Sequence, residues 1–136
     1  MNTLYYLKDH EVNPRTREGR TAIAKMLMRL FDHWKLSPKD QLALLGLRSR
    51  TSLARYRKGE PIADRRNLLD HVATIFSIHM SLRTLFSNNK DILYGWISIP
   101  NRAFDGQKPV EVIREKGFSG LLLVKKYLDH EVEGDG

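Results

Sequence analysis

Residues 37–59, SPKDQLALLGLRSRTSLARYRKG, decide the fold. Ser37, Pro38 and Asp40 open a helix with three signals: a capping side chain, a proline at the first helical position and an acid in the first turn. Leu42, Leu44 and Leu45 give that helix an apolar side, and Gly46 ends it. After the segment Leu47–Arg50 a second helix is predicted, capped by Thr51, spanning Ser52 to Lys58 and closed by Gly59 with Pro61 beyond. Two short helices joined by a glycine turn make a helix-turn-helix, with Gly46 free to take the left-handed backbone and Leu47 pinning the turn to the core. Leu53 and Tyr56, three apart, face inward, which turns Ser52, Ala54, Arg55 and Lys58 outward.

The charge falls on the same stretch. The 136 residues carry 23 Lys/Arg against 16 Asp/Glu, a net charge of +7. Residues 1–60 hold 13 of the bases and 6 of the acids, so the first sixty positions account for the whole excess, while residues 100–136 hold 6 and 7. Between Asp40 and Glu60 no acid interrupts Arg48, Arg50, Arg55, Arg57 and Lys58. A one-sign run of this kind on a helix-turn-helix points to a polyanion, and DNA is the partner that fits. Arg55 is the first candidate for a bidentate base contact, Arg48 and Arg50 suit phosphates, and Ser49, Thr51, Ser52, Arg57 and Lys58 complete the expected DNA face. Arg65 and Arg66 extend the basic patch.

Outward from this core the pattern stays helical. Ile23, Met26, Leu27, Leu30, Phe31 and Trp34 recur three and four apart, predicting a helix from Thr21 to Lys35 with Thr21 as its cap. Asp64 is placed to cap a longer helix through Leu68, Leu69, Val72, Ile75 and Phe76, continuing or kinking through Ile78, Met80, Leu82, Leu85 and Phe86. Ser87–Asn89 interrupts it before a short segment 90–97. Pro100–Gly106 reads as a loop, Pro109 starts a helix that Gly117 ends, and a last helix is expected from Gly120 to Glu131, followed by a frayed tail. Residues 1–19 read as an arm with one short ordered piece. No stretch alternates like a strand, so the fold class is all-α.

The C-terminal string Trp96-x3-Pro100-Asn101-x2-Phe104-x-Gly106-x2-Pro109-x2-Val112-Ile113-x3-Gly117, followed by Val124, Tyr127 and Leu128, resembles the toxin-binding domain of Xre/MbcA/ParS-type antitoxins. In that family an Xre-like helix-turn-helix domain precedes this module, as here, and the resemblance covers about residues 20–132. It implies an arm at 1–19, a DNA-binding domain at 20–80 and a small helical toxin-binding domain at 81–136. It further implies a type II antitoxin that blocks a cognate RES-domain, NAD-consuming toxin and represses its own operon, acting as a homodimer or a toxin–antitoxin hetero-oligomer. The toxin contacts are expected at Asn101, Arg102, Phe104, Lys108 and Tyr127, and on the acidic tail through Glu131 and Glu133. Trp96 reads as core.

Enzyme chemistry finds no support. Cysteine is absent, and the five histidines (His10, His33, His71, His79, His130) show no metal-ligand spacing. There is no phosphate-binding loop, nucleophile elbow or dinucleotide fingerprint. No cofactor or metal is expected. Neither a secretory signal nor a membrane span is visible, and a cytoplasmic location fits. Two rivals stay open: a stand-alone helix-turn-helix regulator whose C-terminal part only oligomerises, and a helical adaptor that binds no DNA.

Overall fold

The computed structural model describes residues 5–7 and 10–134, with side chains from Val12 onward. A short antiparallel hairpin, β1 (Tyr5–Leu7) and β2 (His10–Val12), pairs Tyr5 with Val12 and precedes seven α-helices among the described residues. It lies within the expected arm, and its three-residue strands are too short to leave an alternation signal in the sequence.

The first helix, α1, spans Arg17–His33. Thr16 caps it, its hydroxyl accepting from Gly19 N at 2.9 Å. The helix therefore starts before Thr21, whose hydroxyl instead donates to the Arg17 carbonyl. The polar first turn lies outside the apolar stripe, so periodicity alone begins too late. Helix α2 (Pro38–Leu45) starts as read, with Ser37 Oγ accepting from Asp40 N at 3.1 Å. Gly46 then takes φ 66°, and a Cβ there would stand 2.7 Å from His71 Nε2. The turn needs glycine twice over, for its backbone and for its close approach to the histidine.

Helix α3 (Arg50–Arg57) is capped by Ser49, not Thr51: the Ser49 hydroxyl accepts from Thr51 N at 3.2 Å. Helix α4 spans Arg66–Leu85 without interruption. Arg65 holds the cap position with no side-chain bond to the helix, and Asp64 faces Arg20 at 3.7 Å instead. Asn89 caps α5 (Lys90–Gly95), and two 3-10 turns follow at Trp96–Ser98 and Arg102–Phe104. Helix α6 (Pro109–Lys116) begins with the Glu111 carboxylate accepting from Lys108 N at 2.8 Å. Helix α7 spans Phe118–Gly134, longer than expected at both ends. Gly120, read as the start of that helix, lies inside it, where a Cβ would come within 2.6 Å of the Val112 carbonyl. It lets α7 lie directly on the α6 backbone. The tail is helical through Gly134, and positions 135–136 lie outside the described residues.

The buried side chains form one cluster rather than two. Ile23, Leu27 and Phe31 of α1, Leu44 of α2, Val72, Ile75, Ile78 and Leu82 of α4, Ile113 of α6, and Leu121, Val124 and Leu128 of α7 all belong to it. Helix α4 is its axis: it packs on α2 on one side and most extensively on α7, and the expected divide between residues 80 and 81 falls inside it. A bidentate ion pair clasps the halves from outside, with Arg114 Nε and Nη2 of α6 donating to Asp40 of α2 at 2.8 and 3.0 Å.

Candidate functional site

Two faces on opposite sequence halves carry the chemistry. The first is α3. Leu53 and Tyr56 are buried, which fixes the helix on the core and leaves Arg50, Thr51, Ala54, Arg55 and Lys58 exposed, with Ser52 partly so. Arg48 and Ser49 are exposed at its start. Among the described residues, Arg48, Arg50 and Lys58 meet no carboxylate; Arg55 lies 3.9 Å from Glu60, a loose contact between two well-exposed groups. Arg57 differs from its neighbours. Its guanidinium donates to both Asp32 oxygens at 2.8 and 3.1 Å, tying α3 to the end of α1. It thus belongs to the scaffold that orients the helix. Arg48, Arg50 and Lys58 are left presenting uncompensated charge to solvent.

The second face lies where the 101–107 loop meets α7. Asn101 organises the loop: its side-chain oxygen accepts from Ala103 N at 2.9 Å, and its backbone bonds Gln107, Phe104 and Gly106. This holds Phe104 edge-on to Tyr127, with ring centres 5.4 Å apart at 64°. Tyr127 stacks on its other side against Trp96 at 6.2 Å, and Trp96 is buried, as expected of a core residue. The Tyr127 hydroxyl donates to Glu131 at 2.8 Å, a bond that, with burial and the carboxylate's charge, raises the phenol's pKa above its ordinary value. A groove of about 430 Å³ runs along this face, lined by Phe104, Gln107, Val112, Leu123, Tyr127 and His130 among others. Leu123, in its lining, and the adjacent Leu122 of α7 are each 44% exposed. Arg102, Lys108, Glu131 and Glu133 are exposed, Lys108 at the start of α6 and Glu133 at the end of α7.

The structure therefore gathers Asn101, Phe104, Tyr127 and Glu131 into one connected group. The stack of Trp96 on Tyr127 has no sequence signal, because the two residues are separated by a loop and a helix and no local period connects them. One histidine is accounted for by packing. His71 is buried, its Nδ1 2.8 Å from the Asn67 carbonyl and its ring against Phe118. Among the described residues no group of three or more His, Asp or Glu is placed to hold a metal, and no helix is long and apolar enough to cross a membrane.

Residues 17–66 match the antitoxin Xre-like helix-turn-helix domain, and residues 81–134 match the antitoxin Xre/MbcA/ParS C-terminal toxin-binding domain. The first span contains α1 to α3 and the cationic face; the second contains the 101–107 loop, α6, α7 and the aromatic face. The chain is also similar to the uncharacterized protein y4oB of Sinorhizobium fredii (strain NBRC 101917 / NGR234), with 33% identity over 108 residues, covering 78% of this chain and 81% of that one. With both modules present in the family's order, the chain belongs to the Xre/MbcA/ParS-type antitoxins.

Proposed function

We propose that this antitoxin represses its own operon through α3 and neutralises a RES-domain, NAD-consuming toxin through the aromatic face of its C-terminal half. It acts by binding, without catalysis, from the cytoplasm. The observation that carries the reading is the separation of two unlike faces on one core: uncompensated cations around α3, and an aromatic groove beside exposed leucines on α7.

On the DNA side, Arg55 reads a base edge, and Arg48, Arg50 and Lys58 hold phosphates; Ser49, Thr51 and Ser52 at the start of α3 add hydroxyl contacts. Each chain offers one recognition helix, so two copies meet a palindromic operator. On the toxin side, Phe104, Tyr127 and Asn101 supply a rigid anchor, with Arg102, Lys108, Glu131 and Glu133 as its polar rim.

The test is a salt titration of binding to the protein's own promoter fragment, paired with co-expression of the neighbouring gene, pull-down and a cellular NAD assay. Sequence-specific binding with a steep salt slope, and a co-purifying partner whose NAD depletion the antitoxin prevents, are the expected results. The alternative, a regulator whose C-terminal part only oligomerises, draws on the same exposed Leu122 and Leu123. It requires self-association and operator binding with no toxin partner.

A further inference from the structure

A second cavity, of about 440 Å³, opens between α1, α4 and α5, and no residue of α2 or α3 lines it. Its size falls within the range of small-molecule sites. Among the described residues its titratable lining is Arg29 and His33 from α1, His79 and Arg83 from α4, and Lys90 and Tyr94 from α5, with no carboxylate. Arg29, Arg83 and Lys90 are exposed and have no acidic partner among the described residues.

Three near-parallel rings form one wall. Tyr94 stacks on His33 at 4.5 Å and lies 6.3 Å from His79, with interplanar angles of 17° and 16°. Leu30, Phe76 and Leu93 provide an apolar floor. His79 Nδ1 is buried without a hydrogen-bond partner. Burial first, then the charge of Arg83 and the nearness of His33, lower its pKa to about 4, so the ring stays neutral at physiological pH. The cations at the mouth thus have neither a fixed counter-charge nor competition from an anionic wall.

Cations converging on an apolar, aromatic cavity fit a ligand with a charged head and a flat body. We propose that this cavity binds a nucleotide-class ligand, with its base against the His33–Tyr94–His79 wall and its phosphate on Arg29, Arg83 and Lys90. The ligand would touch both family-matched spans, since Arg29 and His33 belong to the helix-turn-helix module and Arg83, Lys90 and Tyr94 to the toxin-binding module. The inference is independent of which toxin the protein blocks.

The experiment is equilibrium dialysis of AMP, ATP and inorganic phosphate against the full chain at physiological ionic strength. Three proteins are compared: the wild type, Arg83→Ala/Lys90→Ala, and Arg48→Ala/Arg50→Ala, with circular dichroism confirming that each variant is folded. The expected result is saturable binding of AMP or ATP at one site per chain. That binding falls about tenfold or more in Arg83→Ala/Lys90→Ala and is unchanged in Arg48→Ala/Arg50→Ala. Loss in the second variant alone would place the nucleotide on the DNA face and overturn the proposal. So would the absence of saturable binding, or inorganic phosphate binding as tightly as the nucleotides, because the aromatic wall would then contribute nothing.

Discussion

The α3 face and the Tyr127 face differ in how they are built, and the difference explains what each can do. Around α3 the exposed groups are long cations, on a helix anchored by Leu53 and Tyr56 beneath and by Arg57, which donates to Asp32 and Gln41, at the side. That arrangement suits a partner whose charge is repetitive and extended, since flexible arginines can follow a phosphate backbone. Around Tyr127 the groups are rings locked by one another and by the Asn101 loop. Rigid aromatic surface loses little entropy on binding and suits one shaped protein partner. Helix α4 and the shared core bind the two faces into a single body, so they share one stability.

The largest effect tests that shared body. Ile78 is 0% exposed on α4. Ile78→Ala should cost about 2–5 kcal/mol and lower the midpoint of one cooperative thermal transition by roughly 10 °C, impairing both faces together. Two resolved transitions in calorimetry, with only one moved, would contradict a single shared body. Next comes acid. His79 is neutral in the fold, with its pKa lowered to about 4 from an ordinary 6.5 by burial, Arg83 and His33. Above pH ~6.5 the ring is neutral folded or unfolded and nothing is lost; between there and pH ~4 the unfolded chain takes a proton that the folded one refuses. Stability should therefore fall over that window by up to about 3 kcal/mol, read as a urea midpoint that drops on acidification. His79→Phe should flatten that part of the slope.

Phe104→Ala or Tyr127→Ala should weaken toxin binding by about 2 kcal/mol or more, as anchor residues do, and leave operator affinity within a factor of about two. Calorimetric titration against the purified toxin reads the first, anisotropy on promoter DNA the second. The smallest effect concerns the clasp between halves. Arg114→Ala removes a bidentate but partly exposed pair with Asp40, so a double-mutant cycle with Asp40→Ala should return a coupling of about 0.5–1 kcal/mol. A coupling near zero would leave the joint between the halves to apolar packing alone.

Much of this was legible in the sequence, and the misses share a cause. Ser37, Pro38, Gly46, Leu53 and Tyr56 carry local signals, so the helix-turn-helix could be read residue by residue. The start of α1 and the cap of α3 went wrong by a few positions, because Thr16 and Ser49 compete with Thr21 and Thr51, which are chemically equivalent caps. The Trp96–Tyr127–Phe104 assembly and the His33–Tyr94–His79 wall join residues distant in sequence, and no period connects them. Arg57 looked like one more cation of the DNA face; only the position of Asp32 beside it shows its structural attachment. The shared core has no local signal either, since it joins residues of α1, α4, α6 and α7 far apart in sequence, and the boundary expected at 80–81, where the toxin-binding match begins, lies within an uninterrupted helix.

The central claim is that one folded body carries two independent binding faces. Its most direct test is toxin neutralisation by Arg48→Ala/Arg55→Ala expressed from an inducible promoter, with growth as the readout and loss of operator binding confirmed in parallel. The expected result is full rescue of growth by an antitoxin that no longer binds its operator. Loss of rescue by a variant that is folded and normally abundant would contradict the claim, because it would place the toxin on the same cations as the DNA.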